Sequence, residues 1–304
     1  MFECVANVSE GRDVATLRAV AQSCGDSLVD VHADPDHHRS VFTLAGPAPD
    51  AAGPAARLLA GAVATHVSLA GHDGVHPRLG ALDVVPFVAL GGTDAERARA
   101  ADVARDFGGW WAETYDVPVF FYDDADLAGR DLPHIRRHAF TTRPPDLGPA
   151  APHPTLGATA VGARKPLVAI NLLLVTDDVT VAQRIAREVR ERDGGLPGVR
   201  ALGFMLESQG RAQVSMNLVD LDRTGIEAAC TEVRELARRE HTDVGSVELV
   251  GLVPRADLDR CSDEFRAWSG IDASAAVEAR VGHGPRRLPG DDAPGGDPGA
   301  PRAD

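Results

Sequence analysis

FECVANVSEGRDVATLRAVAQSCGDSLVDVHADPDHHRSVFTLA, residues 2–45, holds the pattern from which the architecture follows. Phe2 to Val8 alternates as a strand does, with Asn7 at its end. SEGRD comes next, Ser9 reading as a cap and Glu10 as an early acid before the helix-patterned Val14 to Ser23. Ser27 to Ala33 and Arg39 to Ala45 are two further strands, separated by the turn-rich DPDHH.

Outward from that segment, an Ala/Leu-rich helix at Ala51 to Val67 and a strand at Ala81 to Leu90 complete the order βαββαβ. A further αβ unit follows, a helix from Asp94 to Phe107 and a strand from Val117 to Phe121. LPHIRRHAF, residues 132–140, reads as a short helix, and the proline-rich Arg143 to Pro154 marks a boundary. Beyond it the same order returns: strand Leu167 to Val175, helix Val179 to Glu191, strands Val199 to Glu207 and Ala212 to Asp220, helix Gly225 to Glu240, strand Val247 to Leu252. The sequence therefore predicts an α/β (α+β) protein of two βαββαβ subdomains, residues 1–145 and 146–280, each a sheet with helices on one face. Residues 281–304, rich in Gly, Pro and Asp, offer little to bury and are expected to be disordered.

The formal net charge of -14 over 304 residues argues against a general nucleic-acid binder, so an anionic ligand has to meet a focused basic site. Four cysteines without CxxC spacing form neither a zinc knuckle nor a disulfide framework, which suits reduced thiols. The chain opens on strand-like residues rather than a signal peptide, and no apolar run approaches the ~20 residues of a membrane span. A cytoplasmic protein with no membrane partner is expected.

Chemistry concentrates in AGHDGVHPRLGALDVVPF, residues 70–87. Pro77 disfavours the α region for His76, and Gly71, Gly74 and Gly80 permit close approach, so an imidazole is held in a loop beside the Arg78 guanidinium. The cluster Asp30, His32, Asp34, Asp36, His37 and His38, with His72 four residues before His76, raises a metal-dependent amidohydrolase as an alternative. Against it, the glycines and Pro77 keep HDGVHP from forming the helix that a histidine pair four apart uses to bind zinc. GATAVGARK, residues 157–165, reads as a loop leading into a strand, with Arg164 and Lys165 as cations for an anionic ligand.

Several long motifs in register, ECVANVSEGR, HPRLGALDVVPF, GATAVGARK, AQVSMNL and VGSVELVGLVP, show that residues 2–260 resemble the formiminotransferase domain family, folate enzymes of histidine degradation. The resemblance implies two ferredoxin-like subdomains, usually in a homodimer, with tetrahydrofolate, with or without a polyglutamate tail, held between them. It implies that His76 is the catalytic histidine. It also implies that Gly148, Pro149, Ala150, Ala151, Pro152, His153, Pro154, Thr155, Leu156 and Gly157 form the folate-contacting segment. The cyclodeaminase fused to this domain in bifunctional members is not expected.

Four positions depart from the family pattern: Val75 for glutamate, His32 for aspartate, Leu156 for an aromatic residue, and His38 before Arg39 where the family has Asn-Arg. The implied reaction moves a formimino group from N-formimino-L-glutamate to N5 of tetrahydrofolate, with one imidazole carrying the proton and no metal required. Asp73 and Asp83 are both candidates to orient the ring. Arg39, Arg78, Arg164 and Lys165 are the candidate cations for the carboxylates of the substrates, with His32 as a further candidate substrate contact. The third alternative is a folate-binding protein without catalysis, raised by the changes at Val75 and His32.

Overall fold

The computed structural model describes residues 1–48, 51–74, 77–207, 209–285, 288, 290 and 291. Strands β1 (Phe2–Val8), β2 (Leu28–Asp34), β3 (Arg39–Ala45), β4 (Leu82–Ala89), β5 (Val119–Asp123) and β6 (Thr159–Arg164) form one sheet in the order β2-β3-β1-β4-β6-β5. Helices α1 (Val14–Ser23), α2 (Ala52–His66) and α3 (Asp94–Tyr115) connect its strands, and α4 (Leu132–His138) follows β5. Strands β7 (Val168–Leu174), β8 (Val199–Leu206), β9 (Arg211–Leu218) and β10 (Val244–Val250), with helices α5 (Val179–Val189) and α6 (Ile226–Arg239), form the second sheet, ordered β10-β7-β9-β8. Within each βαββαβ unit the first strand lies between the third and the fourth, and all pairings are antiparallel. The two halves therefore share one topology.

Period-two alternation explains the layering. Phe2, Cys4, Ala6 and Val8 of β1 enter one core with Leu59 and Val63 of α2 and Phe107 and Trp111 of α3. On β9, Ala212, Val214, Met216 and Leu218 enter the second core with Ile185 of α5 and Val233 of α6. The opposite faces of the two sheets meet across a groove, the first sheet's also covered in part by α4, whose Ile135 packs with Val84, Phe120, Tyr122 and Ala160. His32 of β2 reaches Glu248 of β10 at 3.5 Å, and the His37 ring stands edge-on to Phe204 of β8, centroids 5.5 Å apart. After β10, short helices α7 (Arg255–Asp259), α8 (Asp263–Ser269) and α9 (Val277–Arg280) lead the chain back, and Val277 packs with Val29 and Ala45 of the first half.

Several expectations need correction. GATAVGARK is not a loop: Thr159–Arg164 is a strand running parallel to both β4 and β5. Small residues hide it, because Ala160, Val161 and Ala163 are buried in a sheet too crowded for larger chains. The first sheet thus extends through Arg164, and the division expected between 145 and 146 cuts it; the change of sheet falls between Arg164 and Val168. Helix α3 continues past Phe107 to Tyr115, because burial of Trp111 and Ala112 outweighs the low helix propensity of Gly108 and Gly109. Ser9 does not cap α1; Asp13 does, accepting from the Ala15 and Thr16 amides. Nor is the described part of the tail free of contacts, since Leu288 packs against the first core and Arg18 pairs with Asp291 at 2.7 Å. Residues 292–304 lie outside the described residues.

All four cysteines are buried and unpaired. Among the described residues no helix is long and apolar enough to cross a membrane.

Candidate active site

Three segments of the first half converge where β1 and β4 run antiparallel: the end of β1 with the SEGR loop, the β2–β3 turn, and the loop that enters β4. Ser9 fastens the first to the third, its hydroxyl donating to Gly80 O (2.8 Å) and its amide to Ala81 O (2.8 Å). Glu10 folds back to accept the amides of Gly11, Arg12 and Asp13 at 2.8–3.0 Å, which fixes the turn between β1 and α1. Gly74 is seated on the β2–β3 turn so closely that a Cβ there would lie 2.5 Å from His37 O and 2.6 Å from His38 Cβ. No other residue fits that approach.

The histidines of this region are ordered by neighbours. His72 stacks on His38 with centroids 4.0 Å apart, and its Nδ1 accepts the Gly74 amide at 3.3 Å. His38 Nδ1 accepts the Gly11 amide at 3.2 Å, and burial lowers the pKa of that ring against the opposing charge of Glu10. His37 bonds Asp34 at 2.5 Å, a contact that raises its pKa despite burial. His76, with Val75, lies outside the described residues, whereas both flanks of the pair are described. Gly74 rests on the β2–β3 turn and its carbonyl accepts from Arg78, while the Pro77 carbonyl accepts from Arg136 of α4 at 3.0 Å.

Asp83 anchors this arrangement from beneath. It is fully buried, its Oδ2 lies 2.6 Å from both Arg39 and Arg136, and its Oδ1 accepts the Leu79 amide at 2.5 Å. Burial pushes the carboxyl upward, but the two guanidinium groups and the Leu79 amide overcome that penalty and hold its pKa at about 2. Arg39 also donates to Asn7 Oδ1 through Nε and Nη2 at 3.2 and 2.8 Å. Arg78 lies within the field of the same carboxylate. Two guanidinium groups thus share one buried aspartate, with a third, Arg78, near enough to feel its charge, a concentration of positive charge in an otherwise acidic protein. Asp73 is a poorer orienting group, since it is exposed and paired with Arg12 at 2.6 Å.

The end of the segment Gly148–Gly157 lines the other flank of the loop, while its start lies against Val117 and Pro118. Leu69 N–H donates to Thr155 O, Ala81 N–H to Leu156 O and Ala158 N–H to Leu79 O, all at 2.8–2.9 Å. Gly80 and Gly157 form a β-bridge so close that any side chain at Gly80 would overlap the Ala158 and Leu156 carbonyl oxygens. His153 Nδ1 accepts the Leu156 amide at 3.0 Å and so shapes the turn, while Leu156 is buried and residues 150–152, 154 and 155 are exposed. The seam is held by a polar chain through the core: Trp111 Nε1 donates to Thr159 Oγ1 (2.9 Å), which donates to Leu82 O (2.7 Å).

Not every expected residue gathers here. Arg39 and Arg78 do, although Arg39 is drawn into Asp83 and Asn7 with its side chain only 11% exposed. Arg164 pairs in register with Val88, five residues along β4 from Asp83, or roughly 16 Å at strand rise. It belongs to a different cluster, opposing the burial that pushes Glu3 up to about 7 and lowering the similarly raised Asp123. Lys165 turns to Asp220 at 3.6 Å, and His32 faces Glu248 across the groove. Sequence reasoning missed Arg136, whose contact with Asp83 spans 53 residues and leaves no local signal. Among the described residues no group of three or more His, Cys, Asp or Glu side chains can hold a metal ion.

Residues 1–164 match the formiminotransferase domain, N-terminal subdomain, and residues 168–268 match the formiminotransferase domain. The chain is 35% identical over 273 residues to glutamate formimidoyltransferase of Streptococcus pyogenes serotype M1, covering 85% of this chain and 90% of that protein. It is 35% identical over 303 residues to glutamate formimidoyltransferase of Thermoplasma acidophilum, covering 92% and 97%. With the formimidoyltransferase-cyclodeaminase of Sus scrofa it shares 39% over 285 residues, 85% of this chain, and spans about half the length of that protein (51%).

Proposed function

This chain belongs to the formiminotransferase family, and we propose that it transfers the formimino group from N-formimino-L-glutamate to N5 of tetrahydrofolate, releasing glutamate and 5-formiminotetrahydrofolate. The observation that carries this reading is the seam between the histidine loop and the segment Gly148–Gly157, where Gly80 meets Gly157 and backbone bonds join 69–81 to 155–158. It brings the segment that the resemblance assigns to folate contact against the loop that it assigns to proton transfer.

In this reading tetrahydrofolate supplies the nucleophilic nitrogen and the chain does the rest. His76 takes the proton released at N5 and returns it to the departing glutamate nitrogen, a role worth ~10²–10⁴-fold in rate. The Asp83 cluster fixes Leu79 and, through Arg136, the carbonyl of Pro77, so the residues bordering that histidine keep their places. Arg78 and Arg39 supply positive potential for the carboxylates of the donor, Arg39 by its field because its bonds go to Asp83 and Asn7. The reading takes the protein as a cytoplasmic homodimer acting on small molecules, and its proton transfer calls for no metal.

A panel of formimino and formyl donors, each assayed with tetrahydrofolate with and without a chelator, tests the assignment. N-formimino-L-glutamate is expected to be the best donor, with turnover unaffected by the chelator. Loss of activity on chelation, with stoichiometric zinc or iron in the purified protein, would favour the amidohydrolase. Tetrahydrofolate binding without turnover of any donor would favour a non-catalytic folate-binding protein.

A further inference from the structure

Gln213, in the AQVSMNL stretch of β9, has no part in the site described above, and its surroundings are unusual for a structural glutamine. Its side chain is 2% exposed, and its Nε2 is buried with no hydrogen-bond partner. Because Ala212 and Val214 point into the helix-side core, Gln213 points the other way, into the groove between the sheets. Its direct cross-strand partner on β8 is Phe204, which shares that face and touches the His37 ring of the β2–β3 turn. His37 precedes His38, on which His72 stacks, so Phe204, the neighbour of the unpartnered amide, adjoins the turn on which the histidine loop rests. A buried donor left unpaired is costly in a folded protein and calls for an explanation.

We propose that Gln213 is a specificity-determining residue whose side-chain amide donates a hydrogen bond to a carboxylate of the formimino donor. The assignment rests on the reading of the chain as a formiminotransferase. Position decides between the two substrates. In the first sheet three strands, β3, β1 and β4, separate β2 from β6, and the segment Gly148–Gly157 leads into β6 whereas Phe204, the cross-strand neighbour of Gln213, meets the turn that leaves β2. A ligand that reaches Gln213 therefore lies on the flank of the loop away from that segment, the flank left for the amino-acid substrate. Chemistry agrees, since an N–H donor needs an acceptor. A dicarboxylate can give one carboxylate to the arginine side of the loop and the other to this amide.

The test is steady-state kinetics and thermal melting of the full chain carrying Gln213→Met and, separately, Gln213→Leu. Both variants keep side-chain volume and remove the donor. The KM for N-formimino-L-glutamate is expected to rise about tenfold or more, with kcat and the KM for tetrahydrofolate little changed. The melting temperature should stay level or rise, because an unpaired buried polar group has gone. An unchanged donor KM in a variant that melts with the wild type would overturn the proposal. So would a lower melting temperature with both KM values drifting together, the mark of a structural residue. Wild-type protein assayed alongside separates the two levels of failure: if it transfers and the variants match it, only the role of Gln213 falls. If the wild type does not transfer, both readings fall.

Discussion

Replacing His76 with alanine is expected to cut kcat by ~10²-fold or more while tetrahydrofolate affinity changes little, because a proton relay is realised mainly in the transition state. The surroundings of the loop sharpen this expectation. Gly74 on one side is seated on the β2–β3 turn, and Pro77 on the other is tied through its carbonyl to Arg136, so removal of the imidazole leaves both anchors in place. His72→Ala is the natural comparison. It removes the ring that stacks on His38 and the acceptor of the Gly74 amide, so it should lower the melting temperature with a smaller loss of kcat. The acidic limb of the wild-type rate profile should follow one titrating group and vanish in the His76 variant. Equal kinetic losses for the two variants, each with weaker folate binding and a lower melting temperature, would mean that the loop had simply been destabilised.

Asp83→Asn should give the largest loss of stability. The substitution leaves Arg39 and Arg136 partly buried without the charge that balances them, a change that typically costs about 3–5 kcal/mol. Chemical denaturation gives the size, and kcat should fall with it because Arg136 also holds Pro77. A pH series adds an independent check whose sign follows from the depressed pKa. The carboxyl titrates at about 2 in the folded chain, below its ordinary value of ~3.9 when unfolded. Its stabilisation is therefore complete above the unfolded value and is lost as pH falls from ~4 towards 2, by roughly 2–3 kcal/mol in all. The stability difference between wild type and variant should shrink over that window. A difference that stays constant across it would show that the carboxylate charge is not what holds the two arginines.

Much of this architecture was legible because alternation is a local property. β1, β3, β7 and β9 carry apolar residues at every second position and β4 is an apolar run broken only by Asp83, and the βαββαβ order read from the chain is the order found, with matching strand arrangement in both halves. β6 escaped because a strand covered on both faces needs no alternation, and its Ala and Gly residues resemble a loop. Side-chain partnerships were harder. Arg39 was expected to meet a substrate carboxylate, yet it lies against Asp83, 44 residues away in sequence, and Arg136 comes to the same carboxylate from a short helix that gave no sign of it. Ser9 had the spacing of a helix cap but is spent on Gly80. In each case the deciding partner is distant along the chain and adjacent only once the sheet has formed.

Tetrahydrofolate, rather than water, is expected to receive the formimino group. A single-turnover reaction of the purified chain with N-formimino-L-glutamate, with and without tetrahydrofolate, measures this directly. One glutamate should be released for each tetrahydrofolate converted to its 5-formimino form, and none when tetrahydrofolate is omitted. Glutamate released at the same rate without tetrahydrofolate would contradict this and identify a hydrolase.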